Sequence, residues 1–192
     1  MAGVLGRWGD DSELQLVLDI INSLYRHSEK IGGGMTPYLN IRPYPAVLVF
    51  TAYGLGLTRS ERWPALHHLF AATISRQYKE PRKVVEELFL WTWPGVEDKG
   101  WWHQIDRPEA RKTPLSDHLL EIFAEWGKSF LGLSPDFELT FERFELLGSL
   151  AHLEQKKPTE VHAELDKDPP HDYVWIPVGR LGWHSQNRRW RP

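Results

Sequence analysis

The sequence predicts a mainly α-helical protein. We expect one domain built as a helical bundle, with a tetratricopeptide-like helical hairpin and a short extended or hairpin segment near the C-terminus. Three observations predict it. From Ala46 to Leu57 no side chain carries a charge, and only Thr51 and Tyr53 bear hydrogen-bonding groups. A helix apolar on every side must be covered on every side, and this run falls short of the about 20 apolar residues that cross a bilayer. Elsewhere apolar residues recur at spacings of three and four, the repeat of a helix with one buried face. Ser, Thr, Asp and Pro stand where those segments begin, and Gly where several end.

The 192 residues suit one domain, expected over 10–183, with 1–9 and 184–192 as flexible or packed tails. A net charge of -3 and a pI near 6.3 argue against a general polyanion binder. Ten Trp is high for this length and suits a tight core, an interface or both, since each indole brings large area and one N–H that needs a partner. With no Cys there is no disulfide, thiolate zinc site or thiol nucleophile, which fits a reducing cytoplasm. The first eight residues lack the apolar core of a signal peptide, and no membrane span is visible. The expected location is cytoplasmic, with no membrane partner.

In chain order, Asp10-Asp11-Ser12 opens the first helix, Ser12 and Gln15 matching a capping box. Leu14, Val17, Leu18, Ile21, Leu24 and Tyr25 mark its buried face, and Gly32-Gly33-Gly34 ends it. That triplet follows a helix and has no Lys-Ser/Thr after it, so it does not match a phosphate loop. Pro45 sits in the first turn of the uncharged helix, where a missing N–H costs little. Gly54 and Gly56 weaken that helix by about 1 kcal/mol each relative to Ala, which predicts close approach of a neighbour. Ser60 is placed to cap a second helix, with Trp63, Leu66, Phe70, Thr73, Ile74 and Gln77 along one side. The pair, 47–75, forms the tetratricopeptide-like hairpin, and no second copy near 34 residues suggests an array.

Pro81 is expected to start a short helix with Val84, Val85, Leu88 and Phe89 inward. A polar connection follows over 96–112. Thr113-Pro114 restarts helix, with Leu115, Leu119, Ile122, Phe123, Trp126 and Phe130 inward. Ser134-Pro135 opens a last helix with Phe137, Phe141, Phe144, Leu147 and Ala151 as its apolar stripe, broadened by Leu139, Leu146, Leu150 and Leu153. Glu138, Glu142, Glu145, Ser149 and His152 share the opposite face, read as solvated. The extended or hairpin segment is expected over 173–183.

Several of these motifs occur in an order with a parallel elsewhere. Arg42-Pro43-Tyr44-Pro45-Ala46 leads the apolar helix and Glu61-Arg62-Trp63 follows. Thr113 to Leu119, Phe141 to Glu145 and Trp175 to Trp183 come later. Together they resemble the C-terminal helical region of large bacterial proteins whose N-terminal parts are Sir2-like NAD-binding or other variable effector domains, thought to act in antiviral defence. The resemblance spans about 10–183. The chain opens on its own Met1, and no Gly-Ala-Gly-type NAD loop appears. The resemblance therefore implies a sensing, docking or assembly region without the catalytic one, and no active-site residue carries over.

The functional expectation is a non-catalytic binding or assembly domain with a protein partner or self-association and no cofactor or metal. Trp101, Trp102 and His103 are the candidate partner contacts, because exposed tryptophans anchor interfaces. Arg180, Arg188, Arg189, Trp190 and Arg191 interleave cations with aromatics and are an alternative single-stranded nucleic-acid site. A hydrolase using Ser149 and His152 lacks a nucleophile elbow, and a metal site at Asp166, Asp168, His171 and Asp172 reads equally well as a solvated acidic loop. His67 and His68 are adjacent on a helix, so they cannot share a metal as an i, i+4 pair; one is expected outside and one partly buried.

Overall fold

The computed structural model describes residues 1–10, 12–30, 41–77, 79–89, 113–130, 136–156 and 178–182. In chain order the elements are α1 (Ala2–Trp8), α2 (Ser12–Lys30), α3 (Tyr44–Arg59), α4 (Trp63–Ala71), β1 (Thr73–Arg76), β2 (Lys79–Lys83), α5 (Val84–Leu88), α6 (Pro114–Phe130) and α7 (Phe137–Gln155). Of the extended or hairpin segment expected over 173–183, residues 180–182 are helical instead, and 173–177 and 183 lie outside the described residues. The protein is mainly helical, a bundle carrying one small antiparallel sheet.

The uncharged helix is the centre of the bundle. α3 packs against α1, α2, α4, α5 and α7. Its Ala46, Val47, Phe50, Tyr53, Leu55 and Leu57 are buried. Pro45 occupies the first turn of α3 and Pro64 the first turn of α4, each where the backbone amide has no intrahelical acceptor. The close approach expected at the α3 glycines is present. A Cβ on Gly56 would lie 2.4 Å from the carbonyl oxygen of Gly3 and 3.0 Å from Cα of Gly6, both in α1. A Cβ on Gly54 would lie 2.3 Å from the ring of Phe144 in α7. Phe144 in turn is the hub of a ring cluster, with centroids 5.7 Å from Phe50, 5.8 Å from Phe70 and 6.0 Å from Phe89.

α1 falls within the stretch read as a tail, and it is packed. Two of its last carbonyls are satisfied from the turn between α3 and α4: Arg62 donates to Leu5 O at 3.3 Å and Gly6 O at 3.2 Å, and the Ser60 hydroxyl reaches Gly6 O at 3.2 Å. A guanidinium donating to the end of a helix satisfies orphan carbonyls and complements the helix dipole. Ser60 therefore closes α3, donating to Gly56 O at 3.0 Å, and does not cap α4, whose N-cap Arg62 makes no side-chain cap bond. At the start of α2 the Ser12–Gln15 capping box is replaced. Ser12 donates from backbone and hydroxyl to Asp10 Oδ1, while Gln15 donates to Asp19.

The sheet lies where helix was expected. α4 stops at Ala71, and Thr73–Arg76 turns back against Lys79–Lys83, pairing Thr73 with Lys83, Ile74 with Arg82 and Arg76 with Lys79. β-branched Thr73 and Ile74 suit a strand. The register shifts between Ile74 and Arg76, so Ser75 opposes both Glu80 and Pro81. A two-stranded edge with a bulge tolerates proline, which explains why Pro81 sits in β2 and does not start a helix. α5 begins three residues later, where Glu86 accepts from the Lys83 amide at 3.2 Å. Asn22 of α2 ties the hairpin down by accepting from the Ser75 amide at 3.0 Å.

Candidate functional site

α7 carries both features that bear on function, and the flanks of its core stripe differ from those expected. Glu145 and Ser149, read as solvated, are fully buried. Leu139, Leu146 and Leu150, read as broadening the core stripe, are exposed by 55%, 42% and 52%. Phe141, Phe144 and Ala151 are buried and Glu138 is exposed as expected, so the core stripe stands and part of each flank changes sides.

The polar flank is covered by α6 and residues 178–182. The Ser116 hydroxyl of α6 donates to Oε1 of Glu145, and Ser149 donates to the Glu145 carbonyl at 2.8 Å. Gly179 lies over the carboxyl group, where any Cβ would collide with it. Oε2 of Glu145 has no hydrogen-bond partner among the described residues. Burial pushes the Glu145 carboxyl up to about 8, against the opposing pull of the Ser116 hydroxyl, the Leu181 amide and the Arg180 charge. At neutral pH this side chain is therefore mainly a neutral acid.

Beside it, Arg180 donates to Asp117 Oδ1 at 2.9 Å and to Glu138 Oε1 at 2.6 Å, while its backbone amide reaches the Ser116 hydroxyl at 3.2 Å. Charge-assisted bonds to two carboxylates hold this guanidinium against α6 and α7. That geometry turns Arg180 inward to acids, away from any phosphate. Near the same end of α6, the Tyr44 hydroxyl lies 2.8 Å from Nε2 of His118, and burial pushes it up to about 12. At the start of α6 the Thr113 hydroxyl donates to Asp117 Oδ2 at 3.4 Å. The inward face of α6 is Leu115, Leu119 and Phe123. Trp126 is instead half-exposed, edge-on to Phe123 at 5.8 Å.

The apolar flank of α7 borders a groove against α4. Trp63, Leu66 and Phe70 line one wall and Leu147, Leu150 and Ala151 the other, around a cavity of about 370 Å³. His67 and Glu154, 3.2 Å apart, stand at its rim. His67 and His68 are both exposed, so neither is the partly buried member expected.

A hydrolytic role for Ser149 does not fit this arrangement, because its hydroxyl is buried and bound back to its own helix. Among the described residues no group of three or more His, Asp or Glu side chains is placed to hold a metal. None of their helices is long and apolar enough to cross a membrane. Trp101, Trp102 and His103 lie outside the described residues, as do Arg188, Arg189, Trp190 and Arg191, and the Asp166–Asp172 loop.

Sequence reasoning missed the exposed leucines as a surface. The signal was present in their spacing: Leu139, Leu146 and Leu153 are seven apart, and Arg143 and Leu150 fill the alternate positions. It also missed the burial of Glu145, for which small Gly148 and Ser149 one turn on are the only local hint of close packing. No protein-family model, curated protein or solved structure matches this chain.

Proposed function

We propose that the chain is a non-catalytic docking or assembly module whose working surface is the apolar flank of α7 and its groove against α4. One observation carries this reading. Three large leucines on one line of α7 are 42–55% exposed, beside a groove walled by aromatic and aliphatic side chains. Contiguous exposed apolar area rimmed by polar groups marks interaction sites. Anchors separated by three, four and seven residues suit a helix laid against a groove. The resemblance to helical regions that accompany effector domains in bacterial defence supports the same division of labour: this chain docks, and a partner or fused domain performs chemistry.

A labelled, designed amphipathic peptide with leucines at heptad positions provides the test by fluorescence anisotropy. Binding is expected to the native chain and to weaken at least about tenfold in Leu150→Asp, which places a charge in the groove wall. Absence of binding to the native chain at concentrations where it is monomeric rejects the reading.

A further inference from the structure

The exposed line of α7 is narrow and regular. Leu139, Arg143, Leu146, Leu150 and the half-buried Leu153 follow at spacings of four, three, four and three. A 3.5-residue average is the repeat of a helix that meets another helix along its length. On its remaining sides α7 is occupied by its own chain, with Phe141, Phe144, Glu145, Gly148 and Ser149 all buried. A helix with apolar knobs fits such a line.

The charges on the line say how that helix runs. Arg143, 48% exposed, lies toward one end, and Glu154, 60% exposed, toward the other. A parallel copy of α7 sets Arg143 against Arg143 and Glu154 against Glu154. An antiparallel copy, related by a two-fold axis at the level of Gly148, sets Leu146 against Leu150 twice and brings Arg143 beside Glu154 at both ends. A two-fold contact requires this kind of self-complementarity. Both charges already have partners, Glu61 at 3.8 Å and His67 at 3.2 Å. Those pairs are exposed, worth little, and readily exchanged.

We propose that two copies of the chain pair through antiparallel α7 helices, with Leu146 of one copy against Leu150 of the other and Arg143 beside Glu154. This rests on the docking reading of the same face, and it names the occupant as a second copy.

Sedimentation velocity and light scattering on the full chain over a wide concentration range test it. A dimer is expected, converted to monomer by Leu150→Asp and by Leu146→Asp with unchanged far-ultraviolet circular dichroism. Arg143→Glu and Glu154→Arg are each expected to weaken the dimer by about tenfold, since each disturbs two symmetric pairs. The double variant Arg143→Glu, Glu154→Arg is expected to recover most of that loss. A native chain monomeric throughout overturns the proposal. If that monomer still binds the designed peptide, the docking reading stands and only self-pairing falls; if it does not, both fall. A dimer indifferent to the two leucine variants, or one that the double charge exchange fails to restore, also overturns it.

Discussion

Gly179 lies across the carboxyl group of Glu145 so closely that a methyl group on it would fall 2.2 Å from Oε1. A buried acid on one helix thus receives the bare backbone of a segment 34 residues away in the chain. Gly179→Ala is expected to lift residues 178–182 and strain the Arg180 pairs with Asp117 and Glu138. Overpacking of this kind costs about 1–3 kcal/mol. Urea unfolding of the variant against the native chain checks it, and an unchanged midpoint contradicts the contact.

The same acid makes stability depend on pH in a defined direction. Its folded value, about 8, lies above the ordinary 4.5 that it regains on unfolding. Between those values the folded state holds a proton that the unfolded chain has released. Stability from this group is full below pH 4.5, falls as pH rises through the window, and levels off once pH passes about 8. The slope is at most about 1.4 kcal/mol per pH unit. Glu145→Gln keeps the shape and removes the proton, so its stability is expected to change less with pH across that window. Thermal or urea unfolding at several pH values, native against variant, measures the difference.

At the α1–α3 crossing, Gly56→Ala sets two effects against each other. Helix propensity favours alanine by about 1 kcal/mol. Its methyl group would meet backbone of α1, the Gly3 carbonyl oxygen at 2.4 Å, and backbone has little freedom to yield. The steric term is expected to win, leaving a net loss of about 1–2 kcal/mol after overpacking. Hydrogen exchange is expected to show α1 amides losing protection first.

Tyr25 of α2 donates its hydroxyl to the buried Oε1 of Glu87 in α5, with Arg76 and Arg82 each 3.9 Å from that carboxylate. Burial raises the Tyr25 hydroxyl, and its bond to Glu87 raises it further, so the phenol remains a donor. Tyr25→Phe leaves a buried carboxylate short of one donor, a loss of about 1–3 kcal/mol. Chemical denaturation measures it. A cost near zero would mean that the two arginines alone satisfy Glu87.

Much of the helical body is legible without coordinates. The absence of charge from Ala46 to Leu57 requires a helix enclosed by others, and α3 is that helix. The spacing from Leu14 to Tyr25 yields the buried face of α2, and Thr113-Pro114 marks the start of α6. The hairpin at Thr73–Lys83 was less legible. Thr73, Ile74 and Gln77 continue the helical spacing of α4, and only pairing across the turn selects strand.

The sequence by itself determined the class of the fold, its central helix, and the starts of α3 and α6. These follow from side-chain polarity and backbone chemistry within a few residues. Only the tertiary structure decided which flank of α7 meets water. Glu145 is covered because Ser116 and the segment at Gly179 pack over it, while Leu139, Leu146 and Leu150 lie on the uncovered side. Burial is a property of two distant segments together, so the heptad spacing along α7 marks a line of leucines but not whether that line meets its own chain or water.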